Sequence, residues 1–455
     1  MASGSEPFPP LPTAADRQLH STSTDGNAPR RRRKSSILGT ELRVGDTGAP
    51  ALATSLAHLN GAPKESPTTT TKRFSKRRKA RSALRRAKNI CVKHTWVLPL
   101  AILLVFLSLY ALNPSESNPI HHFIFLSYKL PVTGPDELPQ YAKGRWDIAF
   151  VTFYIVVLSF TREFIMQEIL RPMARRAGLK SRGKQARFME QMYSAIYFGI
   201  LGPAGMYVMS RTPVWYFNTR GMYENFPHKT HDAYFKFYYL FQAAYWAQQA
   251  IVLVLGMEKP RKDFKELVGH HIVSLALIGL SYRFHFTYIG LAVYITHDIS
   301  DFFLATSKTL NYLDHWLTGP YYFTFMCVWI YLRHYLNLRI LFSLFTEFKT
   351  VGPYELNWET EQYKCTLSFV ITLFLLSALQ ALNLFWLFFI LRIAYRFVVH
   401  NIAKDDRSDA EESEVEEGSE PGPEAAAANA NGKLKPSSPV AAANGTTATK
   451  KKGGR

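Results

Sequence analysis

Cysteine is scarce: the 455 residues hold three, Cys91, Cys327 and Cys365. They are odd in number and widely scattered, which excludes a disulfide scaffold. Charge is thin as well, at 20% of residues, and acidic groups are outnumbered 35 to 54, for a net charge of +19. The first ninety or so residues contain no long apolar run, so no cleavable signal peptide is expected. There is no detectable internal repeat, which argues against a transporter built from inverted halves. The H-x-x-H spacing of histidine-rich iron sites occurs once, at His228/His231. With so few histidines clustered, no metal is expected.

What is present is unevenly distributed. Residues 1–93 carry 19 Lys/Arg against 6 Asp/Glu, and residues 400–455 carry 8 against 10. The middle is strongly apolar, so three soluble domains are a poor reading of the length. Residues 1–93 are rich in Ser, Thr, Pro, Gly and Arg, and composition predicts a disordered tail. Its basic runs, Arg30–Lys34 and Lys72–Lys88, look at first like a nucleic-acid signal. The second run abuts the first apolar segment, which favours a juxtamembrane cluster that fixes orientation and attracts anionic lipid. No nucleic-acid partner is therefore expected. Ser35 and Ser36 lie in R-x-R-x-x-S patterns, and Ser408 and Ser413 precede acidic residues. The C-terminal tail from 401 has an acidic block, Asp405–Glu420, followed by low complexity, and is also expected to be disordered.

Apolar windows of about twenty residues fall near 95–112, 147–166, 190–210, 234–256, 267–283, 286–306, 321–345 and 366–393. The expected fold class is an all-α polytopic membrane bundle of about seven or eight transmembrane helices. Residues 94–139 would supply the first helix and its lumenal connection, and 140–400 the main helical domain. Residues 171–187 hold seven Lys/Arg and residues 257–266 hold four, whereas 349–364 hold two against three acidic groups. By the positive-inside rule this alternation places both termini in the cytosol.

Ionisable residues inside spans face a bundle interior or a cavity. The fifth and sixth windows concentrate them: His270, His271, His297, Asp298 and Asp301. A tight connection near residue 284 makes the two windows an antiparallel hairpin. His270 lies 14 residues before that centre and Asp298 lies 14 after it. At 1.5 Å per residue both sit about 21 Å from the turn, at one depth. Asp298 and Asp301 share a helical face. His270 and His271 are about 100° apart, so at most one points straight at that face. The candidate catalytic set is thus His270, His271, Asp298 and Asp301, a carboxylate orienting an imidazole that moves a proton or attacks a carbonyl. On this reading Asp298→Asn should lose most activity and Asp301→Asn less. Structural hydrogen bonding between helices and a proton relay are the alternatives.

The stretch from Arg261 to Tyr312, RKDFKELVGHHIVSLALIGLSYRFHFTYIGLAVYITHDISDFFLATSKTLNY, resembles the Lag1 motif of ceramide synthases, within the wider TLC domain. The resemblance extends less specifically over about 140–400, and the tails are similar to those of fungal members. It implies N-acylation of a sphingoid long-chain base by a fatty acyl-CoA in the endoplasmic reticulum membrane. It places the family's functional histidines and aspartates at His270, His271, Asp298 and Asp301. It implies acyl-CoA as co-substrate with no permanently bound cofactor, and membrane lipid as surroundings. It also leaves room for a small single-span accessory subunit and for a homo- or heterodimer. The homeodomain-like insert of vertebrate members has no counterpart in 113–145. A dilysine retrieval signal is imperfect, with Lys452 followed by Gly453. A non-catalytic lipid-sensing or translocation-associated TLC protein is the rival reading.

Overall fold

The computed structural model describes residues 70–132, 138–257 and 262–400. The tail serines and the acidic block lie outside these residues. Helix α1 spans Thr70–Lys93, where composition predicts continued disorder. The difference has a local cause: the Ala, Arg and Lys that make this stretch polar are also strong helix formers. Helix α2 (Val97–Leu112) follows, then the short α3 (His121–Ile124) and strand β1 (Gln140–Ala142). Helix α4 (Trp146–Phe164) continues through a π-helical stretch, Ile165–Leu170, into α5 (Arg171–Arg176). Helix α6 covers Arg182–Ser210. Strand β2 (Thr230–Asp232) pairs antiparallel with β1, Tyr141 opposite His231. Then come α7 (Ala233–Val254), α8 (Phe264–Arg283) and α9 (Thr287–Tyr312). Helix α10 (Thr318–Trp329) passes through a second π-helical stretch, Ile330–Leu336, into α11 (Asn337–Thr346), and α12 spans Thr366–His400.

Every one of the eight apolar windows is occupied by one helix or by one continuous helical rod. By length and composition alone, three are apolar enough to cross a membrane: Trp146–Arg176, Arg182–Ser210 and Thr366–Val399. A fourth is added if the bent pair Arg81–Lys93 and Val97–Leu112 counts as one span. Helices α7, α8 and α9 are 22, 20 and 26 residues long. They fall short through polar content rather than length: α8 and α9 carry the ionisable groups of the candidate site, and α7 carries Lys236 with several Gln and Tyr.

Helix α9 is the centre of the bundle, buried along most of its length and packed chiefly on α6. Gly199, Gly202 and Gly205 of α6 lie under Phe302, Ile299 and Ile295 of α9. Where the driving force is close packing rather than exclusion of water, such small residues let two helices approach. Helix α8 packs instead between α7 and α12.

At the α8–α9 turn a polar layer ties the bundle together. The Lys236 ammonium lies 2.7 Å from Asp147, and the Tyr282 hydroxyl donates to the same carboxylate at 2.8 Å. His285 adopts a left-handed φ of 68° in the turn. Its ring accepts from the Lys143 ammonium at 3.1 Å and stacks on Tyr363 from the α11–α12 connection. Burial first, and the neighbouring Lys143 second, lower the His285 pKa to about 3. Burial likewise lowers Lys143 to about 7. The H-x-x-H pair belongs to this layer. The His228 ring contacts the carbonyls of Glu224 and His285, and His231 pairs with the Thr287 hydroxyl at 3.0 Å.

Candidate active site

His270 and His271 lie near the start of α8, at the opposite end from the polar layer. His270 is buried, and its ring sits edge-on to two indoles, Trp246 of α7 at 5.7 Å and Trp386 of α12 at 5.2 Å. The Trp386 N–H donates to Asp263 at 3.3 Å, which fixes that indole against the foot of α8. Among the described residues, the buried His270 Nδ1 has no hydrogen-bond partner. His271 is half-buried, its ring 6.0 Å from Trp246 and 5.9 Å from His270. A 100° offset puts both rings beside one indole, but only one of them between the two.

The aspartates face elsewhere than the hairpin argument suggests. Asp298 is fully buried and points across to α7. Its Oδ2 accepts from the Tyr238 hydroxyl at 3.1 Å and from the Gln242 amide. Gln242 in turn accepts from Tyr197 of α6 at 3.1 Å. Asp301 pairs at 2.5 Å with Arg333, from the π-helical stretch between α10 and α11. The Arg333 guanidinium also donates to Ser300 Oγ at 2.6 Å, to Asn383 Oδ1 at 3.2 Å and to the His297 carbonyl at 3.4 Å. It lies 4.1 Å above the Trp329 ring. His297 is held as one tautomer: Nδ1 donates to the Val293 carbonyl at 2.8 Å, so Nε2 accepts from the Asn383 amide at 3.4 Å.

Two cavities meet at His270 and Trp246, which line both. The first has an empty volume of about 1170 Å³, open solvent included, and an almost wholly apolar lining. It passes Ser274, Leu277 and Val293 towards Phe284, Phe286 and Trp358 at the turn end. The second is far more polar than the first, although aromatic and aliphatic side chains line it as well. His271, Asp301, Arg333, Lys308, Arg162 and Glu190 line it. The structure therefore brings His270, His271 and Asp301 to one cavity. Asp298 is not among its lining residues and sits behind it.

The residues matched by the TLC-domain family model are 187–392, which covers every residue of this site except Arg162. A sphingosine N-acyltransferase-like protein of Gibberella moniliformis is 56% identical over 334 residues, 72% of this chain and 86% of that protein. The sphingosine N-acyltransferase lac1 of Schizosaccharomyces pombe is 48% identical over 75% of this chain and 88% of its own length. The ceramide synthase LAG1 of Saccharomyces cerevisiae is 46% identical over 402 residues, 87% of this chain and 95% of its own. The chain belongs to the fungal Lag1-type sphingosine N-acyltransferase family.

For a member of this family the sequence motif supplies only part of the site. Arg333, Asn383, Trp246 and Trp386 come from three helices outside the Arg261–Tyr312 stretch. Arg333 had a legible signal, an arginine in an apolar window that also holds His334 and Arg339, by the same rule that singles out Asp301. The π-helical stretch around it, a frequent mark of functional sites, is not visible in the sequence. Nor is the partnership of Tyr238 and Gln242 with Asp298.

Proposed function

We propose that this protein is a ceramide synthase, transferring the acyl group of a fatty acyl-CoA to the amine of a sphingoid long-chain base. The observation that carries the reading is His270 at the junction of an apolar and a polar cavity. The acyl chain lies in the apolar cavity with its thioester carbonyl beside the His270 ring. The CoA head and the amine of the base approach through the polar cavity. Net reaction forms the amide N–C bond and breaks the C–S bond. The amine proton passes to imidazole and then to the departing thiolate. Arg333 and its neighbours hold Asp301 in place and put positive charge near the oxyanion that develops on the carbonyl.

We further propose that all eight helices or rods cross the endoplasmic reticulum membrane, with both termini and the His270 end cytosolic. Support comes from the basic residues of 171–187 and 257–266, which also suit a polyanionic CoA.

The test is acyl transfer by the purified protein, with sphinganine and a panel of acyl-CoAs, read as ceramide by mass spectrometry. His270→Ala should be folded and inactive, and His271→Ala folded and strongly impaired. Wild-type turnover by folded His270→Ala removes that ring from the chemistry. No turnover by the wild-type protein with any pair favours the non-catalytic reading. Intact mass after incubation with acyl-CoA alone separates the routes. An acyl adduct on His270 assigns nucleophilic attack, and turnover without one assigns proton transfer.

A further inference from the structure

The end of α1 is a charged helix that nothing in the proposed chemistry uses. Residues 81–93 contain Arg81, Arg85, Arg86, Lys88 and Lys93 and no acidic residue. At 100° per residue, Ala83, Leu84, Ala87, Ile90 and Cys91 fall within one arc of about 120°. Arg81, Arg85 and Lys88 flank that arc on one side, and Arg86 and Lys93 on the other. Only Val92 breaks the pattern, lying among the first group. The apolar strip is open: Leu84 is 72% exposed and Ile90 is 46% exposed.

Its direction is fixed. Arg81–Lys93 and the apolar helix Val97–Leu112 meet at 107°. The corner between them is pinned to α4 and its π-helical extension. The Thr95 hydroxyl donates to Glu163, and the Trp96 N–H donates to Glu168 at 3.0 Å. The Trp96 ring packs edge-on against Phe164 at 5.6 Å. A tryptophan with a bonded N–H at the end of an apolar helix marks the headgroup level. A helix leaving that point at a right angle to a span runs along the membrane surface.

We propose that residues 81–93 are a docking helix for anionic phospholipid, lying in the headgroup layer of the membrane that α2 crosses. The apolar strip enters the acyl boundary while the two basic flanks spread onto phosphates, the arrangement of interfacial amphipathic helices. The inference rests on α2 being a span, as proposed above.

Hydrogen–deuterium exchange on the full chain tests it, in nanodiscs of phosphatidylcholine alone or with about a third phosphatidylserine. With electrostatic attraction near 1 kcal/mol per basic residue, exchange over 81–93 should be about fivefold slower or more in the anionic discs. The difference should close in about 0.5 M salt, and in the combined variant Arg81→Gln, Arg85→Gln, Lys88→Gln. Equal exchange in both lipids overturns the proposal, as does protection by added single-stranded RNA but not by anionic lipid. A disc presents the same lipid on both faces, so the result depends neither on which side is cytosolic nor on turnover. If α2 does not span, its own amides exchange freely in both discs, which separates that failure from this one.

Discussion

Asp298 and Asp301 are three residues apart on one helix, yet their surroundings give them different work. Asp301 opens onto the polar cavity beside the histidines, while Asp298 is locked to Tyr238 and Gln242 behind it. The order expected from depth alone is therefore reversed. Asp301→Asn should lower kcat by about a hundredfold, the cost of displacing charged neighbours in a built site. Asp298→Asn should chiefly lower the melting temperature, because its effect runs through the α6–α7–α9 network. Paired turnover and melting measurements check this, and a larger loss of kcat in Asp298→Asn than in Asp301→Asn would refute it. Arg333 is the second case. Arg333→Leu leaves Asp301 without its counter-charge, a loss of about 3 kcal/mol, the low end for a broken buried pair because Asp301 is partly open to the cavity. Arg333→Lys keeps the charge but cannot span Ser300, Asn383 and Asp301 at once. It should fold close to normally and lose turnover, read as kcat rather than KM in the same assay.

At the scale of elements, the sequence supports an expectation of depth but none of direction. Residue counting from the Arg283–Phe286 turn put His270 and Asp298 at one level because helical rise is nearly constant. It could not say that α9 would turn Asp298 towards α7, since that depends on Gly199, Gly202 and Gly205 drawing α6 against the neighbouring face of α9, at Phe302, Ile299 and Ile295. The apolar windows located every long apolar helix but missed the basic helix α1, and the π-helical stretch at Ile330–Leu336 left no compositional trace. Phe284, Phe286 and Tyr288 are bulky side chains at the α8–α9 turn, the end of the hairpin away from His270. Phe284 and Phe286 line the far end of the apolar cavity, but Tyr288 stacks on His228 at 4.0 Å and is not among the lining residues. The α11–α12 connection adds Trp358 and Tyr363 to that end. Phe284→Ala and Trp358→Ala should therefore move acyl-CoA preference by about two to four methylenes towards longer chains, each added CH₂ gaining about 0.8 kcal/mol of burial. Tyr288→Ala should not move it. Competition between acyl-CoAs of graded length reads the shift, and an unchanged profile in active Phe284→Ala places the stop elsewhere.

For the molecule as a whole, every residue assigned to the site lies between Arg162 and Trp386. Trimming to residues 70–402 should leave acyl transfer in detergent within about twofold of the full chain, since the trimmed residues include none assigned to the site and changes away from such features are small. A folded but inactive trimmed protein would give one of the tails a direct part in the reaction. The meeting of two cavities at His270 has a further consequence. In the proposed reaction one chamber behaves as oil and the other as water, with the reacting atom on the boundary. That is the condition of a phase-transfer catalyst. Of its two products, CoA is soluble only on the wet side and ceramide only on the oily side. Each is drawn off by a different solvent, so the two products partition away from one another. Mass action then pulls the reaction forward from both ends.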